Sequence, residues 1–269
     1  MTSPFAEGRL FFQTFGYAVF PQLFTADEVE QYARALMRVV SHQQSRADAS
    51  GTDGRYMESF IEQDPDVFYP LLDDDRLLDV VDGLLGADSL YIGNSGGLVA
   101  GKSGWHTEVA GILHTYSTMK TVFYCDPVAQ GEGGLSLVAT SHLPEYSRDL
   151  NQAVRDGVLD INSPDLPGKV DIGSTPGDVI AVDQRLWKSS WGAAGEGCRI
   201  FALDWAAHPQ PGWEEMFLGG YRFFRRDILN KKVFSERLLA TAGPRRRRKI
   251  AKMYDIIADA ERDTGYRFE

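Results

Sequence analysis

The sequence predicts a mainly β fold with flanking helices, built around a double-stranded β-helix (jelly roll, cupin-like) core. From Ser89 to about Trp205 the apolar residues tend towards a period of two, and glycines separate the short runs. Before and after this stretch, apolar residues recur at helical spacing. No internal repeat or second core is evident, so we expect one domain. Its helical N-terminal part, jelly-roll core and C-terminal helices are expected at 1–88, 89–208 and 209–269 of a single unit, 1–269.

Composition narrows the class of protein. The 269 residues are 43% hydrophobic and 25% charged, with a formal net charge of −10. The apolar fraction supports a true core, whereas the acidic balance argues against a nucleic-acid surface, which needs a basic face. Cys125 and Cys198 are too few for a disulfide framework or a cysteine zinc site. Without a secretory leader or a long apolar run, we expect a cytoplasmic protein that has no membrane or nucleic-acid partner.

Two helices are predicted ahead of the strands. Thr25-Ala26-Asp27-Glu28 has the pattern of a capping box, in which the threonine hydroxyl and the glutamate carboxylate satisfy free backbone N–H groups. Helical spacing of apolar residues then predicts an amphipathic helix from Thr25 to about Ser41. A second helix is predicted from Asp73 to Leu85, ended by Gly86. The small, polar stretch Ser45–Gly54 predicts a loop near the mouth of the site.

The later part of the chain is predicted to add a polar insertion and further helices. Pro144–Lys169 reads as a polar insertion that helps to shape a substrate pocket. Helices are expected at Trp213–Phe224 and from Lys249 to about Thr264. The basic run Arg245–Lys249 predicts either a solvated face or a partner for local acids.

His106 and Glu108 are the candidate metal ligands. On a strand, residues two apart point to the same face, so the imidazole and the carboxylate can aim at one point. With one distant histidine, these donors would form the facial triad that holds non-haem Fe(II). The short pattern also occurs by chance, and the same two side chains can be hydrogen-bonded inside a barrel.

The pattern becomes more specific in its context, because the segment that contains this pair is followed by four others in a fixed order. The five segments are Gly101–Glu108, Val122–Pro127, Gly133–His142, Pro176–Ile180 and Arg199–Trp205. With them, the stretch from Ile92 to Trp205 resembles the phytanoyl-CoA dioxygenase family of Fe(II)/2-oxoglutarate-dependent oxygenases. The resemblance implies a jelly-roll fold, Fe(II) and 2-oxoglutarate as cofactors, and hydroxylation or related C–H oxidation of a small metabolite or natural-product intermediate.

The sequence departs from that family at Lys188, where the resemblance implies a histidine as the third metal ligand. The flanking residues Trp187 and Gly192 keep the family's pattern, so the site reads His, Glu, Lys. Lys188 can ligate a metal as a neutral amine, remain an ammonium paired with Glu108, or swing out and leave an open two-ligand site. Deprotonation at pH 7 costs about 4.6 kcal/mol from an ordinary lysine pKa. The ammonium is therefore favoured, and Lys188 is the candidate catalytic residue.

The resemblance also implies residues that hold 2-oxoglutarate. Arg199, eleven residues after Lys188, is the candidate anchor, because a guanidinium can grip a carboxylate with two hydrogen bonds; the alternative is an ion pair with a nearby acid. Ser190 and Thr121 are candidate hydroxyl donors to the same carboxylate. His114 shares the strand parity of His106 and is expected to line the co-substrate or substrate pocket; the alternative is that it serves as a substitute third metal ligand.

The leading hypothesis is a dioxygenase-like oxidoreductase with an atypical His/Glu/Lys metal site, acting on a small-molecule substrate. The alternative is a non-oxidative isomerase or cyclase, or a catalytically silent partner subunit, on the same scaffold. A homodimer or a paralogue partner is compatible with either hypothesis.

Overall fold

A computed structural model of the chain describes residues 4–44, 55–99, 103–108, 117–190, 197–208 and 234–264. Within these ranges ten strands form two antiparallel sheets. The strands are β1 (Tyr17–Phe20), β2 (Arg55–Glu58), β3 (Leu90–Val99), β4 (Ser103–His106), β5 (Thr118–Tyr124), β6 (Leu135–Val138), β7 (Lys169–Asp171), β8 (Val179–Asp183), β9 (Lys188–Ser190) and β10 (Cys198–Ala206).

The two sheets pack face to face, as in a jelly roll. The six-stranded sheet has the order β1-β8-β5-β10-β3-β2, and the four-stranded sheet has the order β4-β9-β6-β7. Between them lies an apolar cluster to which Leu137 contributes from the smaller sheet and Val122, Ile180 and Ala202 from the larger one. This architecture confirms the predicted fold class. β1 and β2 come from the N-terminal part of the chain, so the larger sheet extends beyond the predicted core range.

Helices cover the outer face of the larger sheet, except the fifth, whose Leu150 packs with Trp105 and Val138 of the smaller sheet. They are α1 (Pro4–Phe15), α2 (Ala26–Gln44), α3 (Pro65–Asp73), α4 (Asp75–Leu85), α5 (Pro144–Arg155), α6 (Glu236–Ala240) and α7 (Pro244–Thr264), with a 3₁₀ turn at Phe60–Gln63. A second and larger apolar cluster fills the space between this sheet and the helices. No helix in the described ranges is long and apolar enough to cross a bilayer.

The predicted start of α2 is confirmed. The backbone N–H of Thr25 donates to the Glu28 carboxylate at 2.7 Å, and the N–H of Glu28 donates to the Thr25 hydroxyl at 3.2 Å. This reciprocal pair is the capping box that the sequence predicts. Glu28 also receives the Arg76 guanidinium at 2.8 Å, which ties the beginning of α2 to α4.

α4 ends where the sequence predicts and begins slightly later. Gly86 has a φ of 96°, a left-handed conformation that favours glycine and stops the helix. Asp73 is the last residue of α3, and the Asp74 side chain caps α4 by accepting from the Arg76 N–H at 2.9 Å. The predicted start at Asp73 is therefore two residues early.

The basic run docks α7 onto α4. Arg245 pairs with Asp75, Asp79 and Asp82 of α4. The Lys249 ammonium is buried, with 1% of the residue exposed, and it donates to the Asp82 carboxylate. Both predicted roles hold within the run: Arg245 and Lys249 pair with acids, whereas Arg247 and Arg248 are exposed. Because these residues lie in the first turns of α7, the helix begins five residues before the predicted position.

The insertion at 144–169 contains α5 and supports the strand that carries the candidate ligands. The Trp105 indole N–H donates to the Ser163 carbonyl at 2.8 Å, and its backbone N–H donates to the Ile161 carbonyl at 3.4 Å. These bonds hold β4 directly before His106. Three further predictions lie outside the described residues: the loop at Ser45–Gly54, the helix at Trp213–Phe224 and the pocket role of His114.

Candidate functional site

The structure brings Lys188 into contact with Glu108 and places it opposite His106. β4 and β9 are antiparallel neighbours, and His106 lies opposite Lys188 in their register. The Lys188 ammonium bonds to the Glu108 carboxylate. Their side chains are 12% and 25% exposed, so this ion pair is largely shielded from water. The interaction agrees with the ammonium interpretation of Lys188.

A second lysine, which the sequence analysis missed, holds the same carboxylate. Lys120 of β5 places its Nζ 2.9 Å from Glu108 Oε1 and 2.8 Å from Oε2. It precedes Val122 by two residues and therefore shares the strand face that looks between the sheets. A single charged residue within the strand Thr118–Tyr124 was the available signal, but it did not identify the partner.

Lys120 and Glu108 belong to a closed circuit of polar contacts. Lys120 Nζ lies 3.7 Å from the Asp204 carboxylate, to which the Gln184 side-chain amide donates at 2.7 Å. The backbone carbonyl of Gln184 in turn accepts a hydrogen bond from the backbone N–H of Glu108 at 3.2 Å. The circuit connects β5, β10, the turn after β8 and the segment after β4. It therefore restrains both the backbone and the carboxylate of Glu108.

The charges of this cluster shift the pKa of each member. Burial alone would raise the pKa of Glu108, but the attraction of Lys120 and Lys188 outweighs it and holds that pKa well below its usual value. Burial opposes the charge of Lys120 as well, yet Asp204 and Glu108 hold its pKa well above the ordinary value. At Lys188 burial dominates over the attraction of Glu108, and its pKa is lowered. Lys188 is thus the more readily deprotonated of the two lysines.

The imidazole of His106 has a defined orientation. Its Nδ1 lies 2.8 Å from the Gly104 carbonyl oxygen. Because a carbonyl oxygen can only accept, Nδ1 carries the hydrogen and Nε2 of the neutral ring keeps its lone pair. That lone pair is available to a proton or to a metal ion.

His106 and Lys188 line a small cavity of about 140 Å³. Its polar wall also carries Ser103 and Ser190, whose hydroxyl oxygens are 3.3 Å apart. Its apolar wall includes Ile200 of β10. The cavity is smaller than the roughly 300–1,000 Å³ of sites for drug-sized ligands. It therefore fits a compact metabolite, and Ser190 remains a candidate contact for it.

Arg199 and Thr121 do not reach this cavity, contrary to the site predicted from the resemblance. Arg199 pairs with Asp126 at 2.7 Å and with Glu30 of α2 at 3.0 Å. Thr121 is fully buried and accepts from the Trp205 indole N–H at 3.0 Å.

Strand parity explains both positions. Arg199 shares a face of β10 with Phe201, which packs against the helices, whereas Ile200 and Ala202 face the smaller sheet. Thr121 lies on the corresponding face of β5. The contacts of Arg199 match the alternative of an ion pair with nearby acids.

The described residues do not fit an iron held by a facial triad. Among them, no group of three or more His, Cys, Asp or Glu side chains could hold a metal ion. Both oxygens of Glu108 are engaged by ammonium groups, and a protonated amine such as Lys188 has no lone pair for a metal. Of the donors in this cluster, the Nε2 of His106 alone is suited to ligate without rearrangement.

Comparisons with solved structures identify the fold. The chain is similar to HygX from Streptomyces hygroscopicus with nickel and 2-oxoglutarate bound, at 20% identity and a TM-score of 0.59, covering 75% of this chain and 87% of that one. It is similar to EctD from S. alaskensis with 2-oxoglutarate and 5-hydroxyectoine, at 21% identity and a TM-score of 0.57, covering 77% and 82%.

A third similar structure is SnoN, the non-haem α-ketoglutarate-dependent epimerase from nogalamycin biosynthesis. The identity is 14% and the TM-score 0.55, with 75% of this chain and 81% of that one covered. No family model matches the chain, and no curated protein matches it. At these identities the similarity establishes the fold of the iron- and 2-oxoglutarate-dependent enzymes and no more than the fold.

The substitution Glu108→Gln should destabilise the protein by about 2–4 kcal/mol, because it leaves the shielded ammonium groups of Lys120 and Lys188 without their carboxylate. Urea unfolding at pH 7 measures this loss. Glu30→Gln is the matched control, since Glu30 pairs with arginines at a more exposed position, and it should cost less than about 1 kcal/mol.

The same pair of proteins tests the depressed pKa of Glu108. A carboxylate whose pKa is lowered on folding contributes stability above its unfolded pKa, about 4.3, and that contribution disappears as the pH falls through the folded-state value. The stability difference between wild type and Glu108→Gln should therefore shrink steadily below about pH 4. A difference that stays constant down to pH 2 would contradict the assignment.

Proposed function

We propose that this protein converts a small molecule by proton transfer, without a bound iron, on the scaffold of the 2-oxoglutarate-dependent oxygenases. The observation that carries the proposal is the ion pair between Lys188 and Glu108, opposite His106 in the wall of the cavity. An ammonium then takes the place that the resemblance assigns to the third metal ligand. The reaction class is that of an isomerase or cyclase.

The cavity carries a complementary acid and base. Lys188 can donate a proton from its ammonium, and His106 can accept one at Nε2, because Nδ1 is engaged by the Gly104 carbonyl. The hydroxyls of Ser103 and Ser190 can orient polar groups of a ligand. Glu108 keeps the Lys188 side chain in position and stabilises its charge.

These groups support a redox-neutral reaction of a small carbonyl compound. His106 removes a proton from the carbon next to the carbonyl, while Lys188 donates a proton to the carbonyl oxygen, which gives the enol. Return of a proton to a different carbon or face, with the enol O–H proton going back to Lys188, gives an isomer of the substrate. Addition of a second, nucleophilic group of the substrate to the carbonyl would give a ring instead, with the proton of that group passing to His106 and the carbonyl oxygen protonated by Lys188.

The second candidate function is the oxidative one, a dioxygenase in which His106, Glu108 and a neutral Lys188 hold Fe(II). Two observations favour it: Nε2 of His106 keeps its lone pair, and burial lowers the pKa of Lys188. HygX and EctD were also crystallised with 2-oxoglutarate. This candidate requires Lys188 to lose its proton and Glu108 to leave Lys120. Among the described residues no arginine lines the cavity, since Arg199 lies on the other face of β10.

Iron content and succinate production separate the two candidates. Wild-type protein loaded anaerobically with Fe(II) and then desalted should retain far less than one equivalent of iron. With 2-oxoglutarate and dioxygen it should form no succinate above a protein-free control, because ammonium groups engage both oxygens of Glu108. One equivalent of retained iron together with succinate that depends on 2-oxoglutarate would support the oxygenase and refute the proposal.

Proton exchange tests the proposed chemistry without knowledge of the substrate. Metal-free protein in D₂O should catalyse deuterium incorporation into at least one member of a panel of small ketones and oxo acids, measured by mass spectrometry. Lys188→Met and His106→Asn should each slow this exchange by about 10²–10⁴-fold, the usual contribution of a general acid or base.

Lys169→Met is the matched control for that experiment. Lys169 lies on β7 and forms its ion pairs with Asp171 of the same strand and with Asp165, which precedes it. The control variant should exchange at the wild-type rate. Equal rates in all four proteins would exclude His106 and Lys188 as the acid–base pair. A folded protein that exchanges no compound in the panel would instead favour the silent partner subunit.

A further inference from the structure

Lys120 binds Glu108 in a way that a metal ion would have to undo. Its ammonium lies within 2.9 Å of both carboxylate oxygens, whereas Lys188 bonds to Oε1. A carboxylate ligates a cation through one or both of these oxygens. As long as Lys120 keeps this position, every oxygen of Glu108 already has a cationic neighbour, whichever residue stands at 188.

Lys120 is itself fixed independently of Lys188. The carboxylate of Asp204, on β10, lies 3.7 Å from the Lys120 ammonium, and the Asp204 side chain is 9% exposed. Gln184 holds that carboxylate at 2.7 Å and also accepts from the backbone of Glu108. None of these contacts involves Lys188. Its removal would therefore leave the clamp on Glu108 intact.

We infer that Lys120 is a positioning residue that keeps Glu108 out of metal coordination, so that a histidine at position 188 does not by itself create a metal site. The inference rests on the proposed function, because it explains how the scaffold stays free of metal. It also makes a separate claim: two substitutions are needed to restore metal binding, one at each lysine.

Cobalt binding measures this directly. Apo forms of the wild type, Lys188→His, and Lys188→His/Lys120→Met are titrated with Co²⁺ by calorimetry, and the unfolding temperature is recorded with and without the metal. The double variant should bind one equivalent at least about tenfold more tightly than Lys188→His, in the range typical for groups that orient a ligand. Co²⁺ should raise its unfolding temperature accordingly.

The conservative variant distinguishes positioning from a general structural role. In Lys188→His/Lys120→Arg the guanidinium can still grip both oxygens of Glu108. This protein should therefore bind Co²⁺ as weakly as Lys188→His. If the Lys120→Met double variant does not fold, as judged by circular dichroism, Lys188→His/Lys120→Gln replaces it.

Three results would overturn the inference: equal Co²⁺ affinity in Lys188→His and the folded double variant, absence of binding in both, or equal affinity in the arginine and methionine double variants. Failure of the proposed function looks different. In that case wild-type protein itself would bind one equivalent of Co²⁺, irrespective of how the variants rank.

Discussion

The site depends on one carboxylate shared between two ammonium groups. Glu108 accepts from Lys120 and Lys188 in a space that is largely closed to water, and Asp204 balances the second positive charge. Two acids and two lysines give a neutral cluster. An isolated charge in such a place is costly, but paired and hydrogen-bonded charges are tolerated. The cluster therefore lets charged side chains lie between the two sheets, whose other inward-facing side chains are mainly apolar.

The barrel places the chemistry by strand register. Because β4 and β9 are antiparallel neighbours, His106 and Lys188 lie opposite each other although they are far apart in sequence. Adjacent residues on β5 and β10 alternate between the interior and the helical layer. The interior faces contribute Lys120 and Asp204 to the cluster. The outer faces contribute Phe201 and Trp205 to the core beneath the helices.

Local patterns predicted much of the fold and part of the site. The capping box at Thr25 and the helix end at Gly86 follow from short-range hydrogen bonding and backbone conformation, which neighbouring residues determine. The pairing of Lys188 with Glu108 followed from the high cost of an unpaired charge in a barrel. The role of Lys120 was missed, and the ion pairs of Arg199 were expected only as the alternative, because both depend on which strand face a residue occupies.

That face could not be read from spacing alone. Arg199 follows Lys188 at the interval expected for a co-substrate anchor, but the connection between β9 and β10 can start the next strand on either face. Lys120 lies only twelve residues after Glu108 along the chain, yet their contact requires β5 to cross to the opposite sheet. Long-range register of this kind is set by the packing of the two sheets.

Crystals grown with excess Fe(II) under anaerobic conditions test the central claim most directly, through the anomalous diffraction of iron. We expect no anomalous peak within bonding distance of His106, with the Lys188 and Lys120 ammonium groups hydrogen-bonded to Glu108. A full-occupancy peak bonded to His106 Nε2, Glu108 and the Lys188 amine would contradict the account.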